Sequence, residues 1–188
     1  MRTLVVLFLL SCAALAQNTA PVGKFPSINV QLTVGAPTRP VPGSFYRKSM
    51  TFQPKLTIEG ARMLAIPAAQ ATVLIVTMDT RAKYVQNREV YSVYSSETID
   101  IPEVKTGERR QFEFTSGTTT YDAYRDNSNV GGEVYKYYIF GLRDPQTKAL
   151  IDFKTNNPAL LTLCKSHPDK RDEFLGMAKG AKFPDTFK

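Results

Sequence analysis

From Val134 to Leu142 the chain reads Val-Tyr-Lys-Tyr-Tyr-Ile-Phe-Gly-Leu, and Arg143-Asp144-Pro145-Gln146-Thr147-Lys148 then separates it from Leu150, Ile151 and Phe153. Aromatic and β-branched residues at this density fit a pleated, half-buried surface. Proline directly after aspartate suits the start of a tight turn. Residues 134–154 are therefore predicted as a β-hairpin. A lone hairpin is marginal in water, so the rest of the chain must supply further strands.

It does so repeatedly. Ile28, Val30, Leu32 and Val34 alternate with Ser27, Asn29, Gln31 and Thr33, which is the period of a half-buried strand. Met50, Phe52, Leu56 and Ile58 alternate in the same way, with Pro54 in the middle. A proline lacks the ladder N–H, so an edge strand or a bulge is expected there. Ala71 to Met78 is continuously apolar and β-branched and reads as a central strand. Glu89–Tyr94, Ile99–Val104 around Pro102, and Phe112–Phe114 give shorter extended pieces, while polar Ser116 to Gly132 reads as a long surface loop. Helix is expected only at the end. Asn157 caps a helix that has Pro158 at its first position, Ser166-His167-Pro168-Asp169 breaks it, and Arg171–Lys179 forms a second short helix before a frayed tail from Gly180. The fold class is mainly β: a sandwich of about seven or eight strands with a short C-terminal helical appendage. Residues 27–156 form the β-sandwich and 157–188 the helical segment and tail.

The N-terminus carries the other strong pattern. Arg2 precedes the apolar run Leu4–Leu10, and Ala14-Leu15-Ala16 follows as an A-x-A site. Residues 1–16 are read as a secretory signal peptide cleaved before Gln17, with 17–26 as a flexible leader. The run is too short for a membrane span, which needs about 20 apolar residues, and no later stretch approaches that length. Leu9-Leu10-Ser11-Cys12 loosely resembles a lipid-attachment signal, but Leu10 is bulky for its place and the A-x-A site matches better. The expected location is the periplasm or the extracellular space, with an outer-membrane lipoprotein through Cys12 as the lesser reading. Cleavage leaves 188 − 16 = 172 residues, one domain's length, with Cys164 as the single cysteine. Cys164 lies in an apolar stretch and is expected to be a buried structural thiol. The formal charge of +7, or +6 without Arg2, is scattered among acids, with no basic run longer than Arg109-Arg110. Together with export this argues against nucleic acid and leaves anionic envelope surfaces or acidic proteins as partners, with a soluble surface carrying some excess of lysine as the plainer reading.

The chemical inventory is thin. His167 is the one histidine, lies in a turn, and has no visible orienting partner for a catalytic triad. There is no H-E-x-x-H, C-x-x-C, G-x-S-x-G or phosphate loop. Asp122, Asp126, Asn127, Ser128 and Asn129 offer oxygen donors that could hold Ca²⁺, but their spacing is not that of an EF-hand. An ordinary polar loop is the plainer reading. No catalytic residue, cofactor or metal is assigned. Tyrosine is the remaining feature: Tyr121, Tyr124 and Asp126 in the polar loop, and Tyr135 and Tyr137 on one face of the hairpin strand, are the candidate binding residues. Core and rim contacts of a sandwich are the competing reading for these tyrosines.

The signal peptide, the small basic β-domain, the segment Tyr137-Tyr138-Ile139-Phe140-Gly141-Leu142-Arg143-Asp144 and the helical end together resemble immunoglobulin-like envelope proteins that accompany bacterial type IV pilus systems. The resemblance spans about 28–156 and lies in architecture. It implies an immunoglobulin-like sandwich, a periplasmic or surface accessory role, and no cofactor. The expected function is a non-catalytic interaction module that docks another envelope or pilus protein, with edge-strand addition as its natural mode. The alternative is a glycan- or small-ligand-binding sandwich using the 116–132 loop. An unrecognised hydrolase is a third reading.

Overall fold

The computed structural model describes residues 29–60, 65–123 and 131–183. The segments expected as signal peptide (1–16) and leader (17–26), and with them Cys12, lie outside these residues. Among the described residues, nine strands and three helices follow in order: β1 (Asn29–Gly35), β2 (Thr38–Pro40), β3 (Arg47–Glu59), β4 (Ala69–Asp79), α1 (Thr80–Tyr84), β5 (Tyr91–Ile101), β6 (Arg109–Glu113), β7 (Gly117–Asp122), β8 (Glu133–Arg143), β9 (Leu150–Thr155), α2 (Pro158–Ser166) and α3 (Lys170–Leu175).

The long strand β3 organises the first sheet. β2 pairs with its first residues and β1 with its later ones, while on the other side β7 pairs with Arg47–Phe52 and β6 with Lys55–Glu59. Pro54 keeps its register partner Val34 on the β1 side but lies where the partner on the other side changes from β7 to β6, between Phe52↔Gly117 and Lys55↔Glu113. The expectation of an edge strand or bulge at Pro54 is thus corrected. β3 is central, and the proline is tolerated because the ladder on the β6–β7 side, which its backbone nitrogen faces, is interrupted at its position. Its carbonyl still accepts from Phe114 N–H at 3.1 Å. The second sheet has the order β5-β4-β8-β9, all antiparallel. Counting β1 with β2 and β6 with β7 as interrupted single strands gives seven, ordered 1-2-5 and 4-3-6-7. This is a Greek-key sandwich of the immunoglobulin-like kind.

Between the sheets lies a core of Val30, Phe52, Leu56, Ile58, Val73, Ile75, Phe140 and Leu142 among others. The second sheet is also covered on its outer face. Leu74, Val76, Val93, Tyr137 and Ile139 pack under Leu160, Cys164, Phe174, Leu175 and Phe183. β4 is therefore buried on both faces, which is why its sequence is continuously apolar where β1 and β3 alternate. The helical segment is a third layer. α2 starts as expected: Asn157 Oδ1 accepts from Ala159 N at 3.0 Å and Leu160 N at 3.2 Å, with Pro158 in the first turn. α3 approaches β8 at Gly141, where a Cβ would come within 2.5 Å of Leu175 Cδ1.

Both seams between the sheets are tied by side chains. Lys154 Nζ donates to the Val30 carbonyl on one side. On the other, Thr115 N–H donates to Glu97 at 2.8 Å and Tyr94 OH to the Thr118 carbonyl at 3.1 Å. The predicted hairpin is present. Its turn is held by Asp144 Oδ1, which accepts from Gln146 N–H at 2.8 Å.

Three further expectations are revised. Residues 117–122, read as part of a loop, form β7, because the threonines satisfy a strand whose outer side is wet. The two pieces Glu89–Tyr94 and Ile99–Val104 belong largely to one strand, β5, which runs through the polar Ser95, Ser96 and Glu97. The tail from Gly180 is not frayed as far as Phe183. Gly180 N–H donates to Val93 O at 2.8 Å, Val93 N–H to Ala181 O at 2.9 Å and Phe183 N–H to Tyr91 O at 2.9 Å.

Candidate functional site

At one end of the sandwich the start of β3, the end of β7, the start of β8 and α1 meet. Arg47 is paired with Asp122 and Lys48 with Tyr121, and Tyr121 bridges to Gly132. Gly132 turns the chain here with φ +94°, a conformation glycine adopts freely. Its carbonyl accepts from both the N–H and the hydroxyl of Thr80, each at 3.0 Å. Asp79 caps α1, its Oδ1 accepting from Arg81 N at 2.8 Å and Ala82 N at 3.1 Å.

These elements enclose a cleft of about 210 Å³ lined by Lys48, Thr80, Tyr84, Tyr121, Asp122, Ala123, Val134 and Lys136. Asp122 is only 8% exposed. Arg47 Nε lies 3.5 Å from its Oδ1, an ion-pair distance, and that oxygen accepts no hydrogen bond among the described residues. Two lysines, two phenols and a buried carboxylate can meet a small anionic or hydroxyl-bearing group. The volume is below the ~300 Å³ at which ordinary small-molecule pockets begin. Beside the cleft, Lys83 and Tyr91 both bond to Glu89, the phenol at 2.6 Å. The Lys83 bond, then that of Tyr91, holds the Glu89 carboxyl below the usual carboxylate range.

Of the sequence-predicted binding residues, Tyr121 lines this cleft, while Tyr124 and Asp126 lie outside the described residues. Tyr135 and Tyr137 do not share a face. The β4–β8 register slips between Val76 and Thr77, so that Val76 faces Tyr137 while Thr77 faces Tyr135, and Lys136 is the extra residue. A bulge of one residue reverses the facing of what precedes it. Tyr135 thus packs against the core between the sheets, and Tyr137, 3% exposed, is covered by the helical layer. They cannot form the joint open surface that strict alternation implies. The sequence reading missed Lys48 and Lys136, which come together only through strand pairing.

Burial pushes the Tyr91 phenol up to about 12, and its bond to Glu89 adds to this. Tyr135 is also raised to about 12 by burial, against the opposing hydrogen bond from Asn156, and burial raises Tyr137 further. Phenols whose folded pKa exceeds the ordinary value of about 10 favour the folded chain fully below pH 10 and progressively less above it, because the unfolded chain loses those protons first. Stability is therefore expected to fall from about pH 10 upward. Phenolate absorbance followed alongside far-ultraviolet circular dichroism should show two phases, the later one coinciding with loss of β-structure. A single phase near pH 10 with the β-signal intact would contradict this placement.

The outer edge of β5 is a second candidate feature. Its lower part, Tyr91–Val93, is paired with the chain's own residues Gly180–Phe183. From Ser95 to Ile101 the same edge has no main-chain partner other than β4 among the described residues.

No family model and no curated protein matches the chain. Among solved structures, a crystal structure from Akkermansia muciniphila is similar at 12% identity over 70% of this chain and 70% of that one, with a TM-score of 0.33. An X-ray structure of a Northeast Structural Genomics Consortium target is similar at 11% identity over 69% of this chain and 84% of that one, with a TM-score of 0.29. Both are loose likenesses of fold.

Proposed function

We propose that this chain is an exported, non-catalytic module of the cell envelope that docks another envelope protein by strand addition at the outer edge of β5. The observation that carries the reading is the chain's own use of that edge. Gly180–Phe183 add to Tyr91–Val93 through three main-chain hydrogen bonds, while Ser95–Ile101 have no further main-chain partner beyond β4 among the described residues. An unpaired edge offers a row of donors and acceptors to an incoming strand, with side-chain contacts supplying the choice of partner. Glu97 and Asp100 on the open stretch discourage pairing between copies, because like charges would meet. The Arg2–Ala16 pattern supports export, and the resemblance to pilus-associated envelope proteins suggests a pilus or secretion component as the partner class.

The test is a photo-crosslinking residue at Ser96 or Thr98, activated in the native envelope, with Thr33 on β1 as the control. A protein adduct of one defined mass is expected from Ser96 and Thr98 and not from Thr33. Adducts from Thr33 alone, or none from any position in an envelope where known complexes crosslink, would end the β5 reading.

A further inference from the structure

Three large apolar side chains are exposed among the described residues: Phe45 at 100%, Val85 at 42% and Tyr46 at 37%. All three sit at the same end of the sandwich. Phe45 and Tyr46 form the tip between β2 and β3, and Val85 ends α1 between β4 and β5. The two loops are held together through Arg47 beside Asp122, Asp122 N–H on the Gly131 carbonyl at 3.0 Å, and Thr80 on the Gly132 carbonyl. The tip is a built turn. Val41 N–H donates to Arg47 O at 3.0 Å, Ser44 N–H to Val41 O at 3.1 Å, and Arg47 N–H to Ser44 Oγ at 3.1 Å. Ala123 N–H holds the Tyr46 carbonyl at 2.8 Å. Phe45 is thus presented outward on a fixed frame.

Charge at this end points the same way. Asp79 caps α1, Glu89 is taken by Lys83 and Tyr91, Asp122 by Arg47, and Glu133 by the Thr77 hydroxyl at 3.0 Å. Arg39, Lys48, Arg81, Arg88 and Lys136 have no ion-pair partner among the described residues. These cations share the end of the sandwich with the exposed aromatics, and two of them, Lys48 and Lys136, line the cleft.

We infer that this end of the sandwich lies on an anionic lipid bilayer, with Phe45 inserted below the headgroups, Tyr46 and Val85 at their level, and the unpaired cations on the lipid phosphates. A protruding tip and a separate loop can enter a bilayer together. A protein partner would need one pocket for Phe45 and another site for Val85. Aromatic residues favour the membrane interface, and each basic residue near an anionic surface adds to binding.

The experiment uses the purified chain with phosphatidylcholine vesicles, with and without phosphatidylglycerol. Cosedimentation is expected only with the anionic lipid and should weaken as salt rises. Phe45→Ala should lower the partition about tenfold, as expected for burying much of a phenylalanine. Arg39→Ala and Lys48→Ala should each lower it about fivefold. The chain has no tryptophan, so Phe45→Trp places a single reporter at the tip. Its emission should shift to the blue on anionic vesicles and be quenched by brominated acyl chains. No cosedimentation at low salt, or cosedimentation with unshifted tryptophan emission, overturns the inference. So does a partition that Phe45→Ala leaves unchanged, including the case where that variant instead loses a protein crosslink. Circular dichroism of each variant distinguishes these outcomes from misfolding. The β5 edge is not involved, so this test and the strand-addition test fail independently.

Discussion

A chain ended at Asn156 is expected to be recovered as aggregate and not as a folded monomer. The truncation leaves every strand in place, so a self-sufficient sandwich with a dispensable appendage would survive it. The structure argues otherwise. Leu74, Val76, Val93, Tyr137 and Ile139 are each at most 3% exposed, and the side chains that cover them come from α2, α3 and the tail. Uncovering five such residues at roughly 2 kcal/mol each costs about 10 kcal/mol, comparable with the whole net stability of an ordinary domain. It would also reopen the β5 edge at Tyr91–Val93. A milder probe tests the same point. Phe183, 4% exposed, stacks on Phe174 with ring centroids 5.8 Å apart. Phe183→Ala should lose about 3 kcal/mol in urea unfolding. A soluble, cooperatively unfolding chain ending at Asn156 would show that the helical layer is an accessory.

The second large effect is expected from one methyl group. A Cβ at Gly132 would overlap the Thr120 carbonyl oxygen and lie 2.8 Å from Tyr121 Cα, at a φ of +94°. Those neighbours are main chain of β7 and cannot swing aside as a side chain could. Gly132→Ala should therefore cost about 3 kcal/mol or more, combining backbone strain with displaced strands. Gly131→Ala is the matched control. Its added Cβ meets nothing nearer than Asp122 Oδ2 at 3.6 Å, so a change within about 1 kcal/mol is expected. Equal midpoints for the two variants in denaturant would mean that the corner is looser than drawn. The same comparison reads the cleft, since Gly132 sets the spacing between Tyr121 and Thr80.

What could be read from the sequence was what neighbours along the chain decide. The Asp144 turn, the Asn157-Pro158 helix start and the central strand from Ala71 each carry their signal within a few residues. What could not be read depends on partners distant in sequence. Pro54 looks like an edge residue until it is known that its neighbour on one side changes from β7 to β6 at that point. Tyr135 and Tyr137 alternate on paper, and only the pairing with β4 shows that Lys136 is a bulge. The threonines of β7 are polar because one side of that strand is wet, which from sequence alone resembles a loop. Of the candidate site, Tyr121 was in view, but the convergence of Lys48 and Lys136 arises from strand order. Phe45 did carry a local signal, an aromatic pair between a glycine-serine turn and two cations, which a reading by strand periodicity passes over.

The order in which this fold can close follows from where its cover lies in the chain. Synthesis delivers the N-terminal residues first, and both sheets are complete once Thr155 has emerged. The outer face of the second sheet and the Tyr91–Val93 edge must wait for Leu160 through Phe183. For that interval the nascent chain holds a finished inner core beside an uncovered apolar face. Docking of Leu160 through Phe183, and not formation of the sheets, therefore sets the moment when the molecule is no longer adhesive to its neighbours.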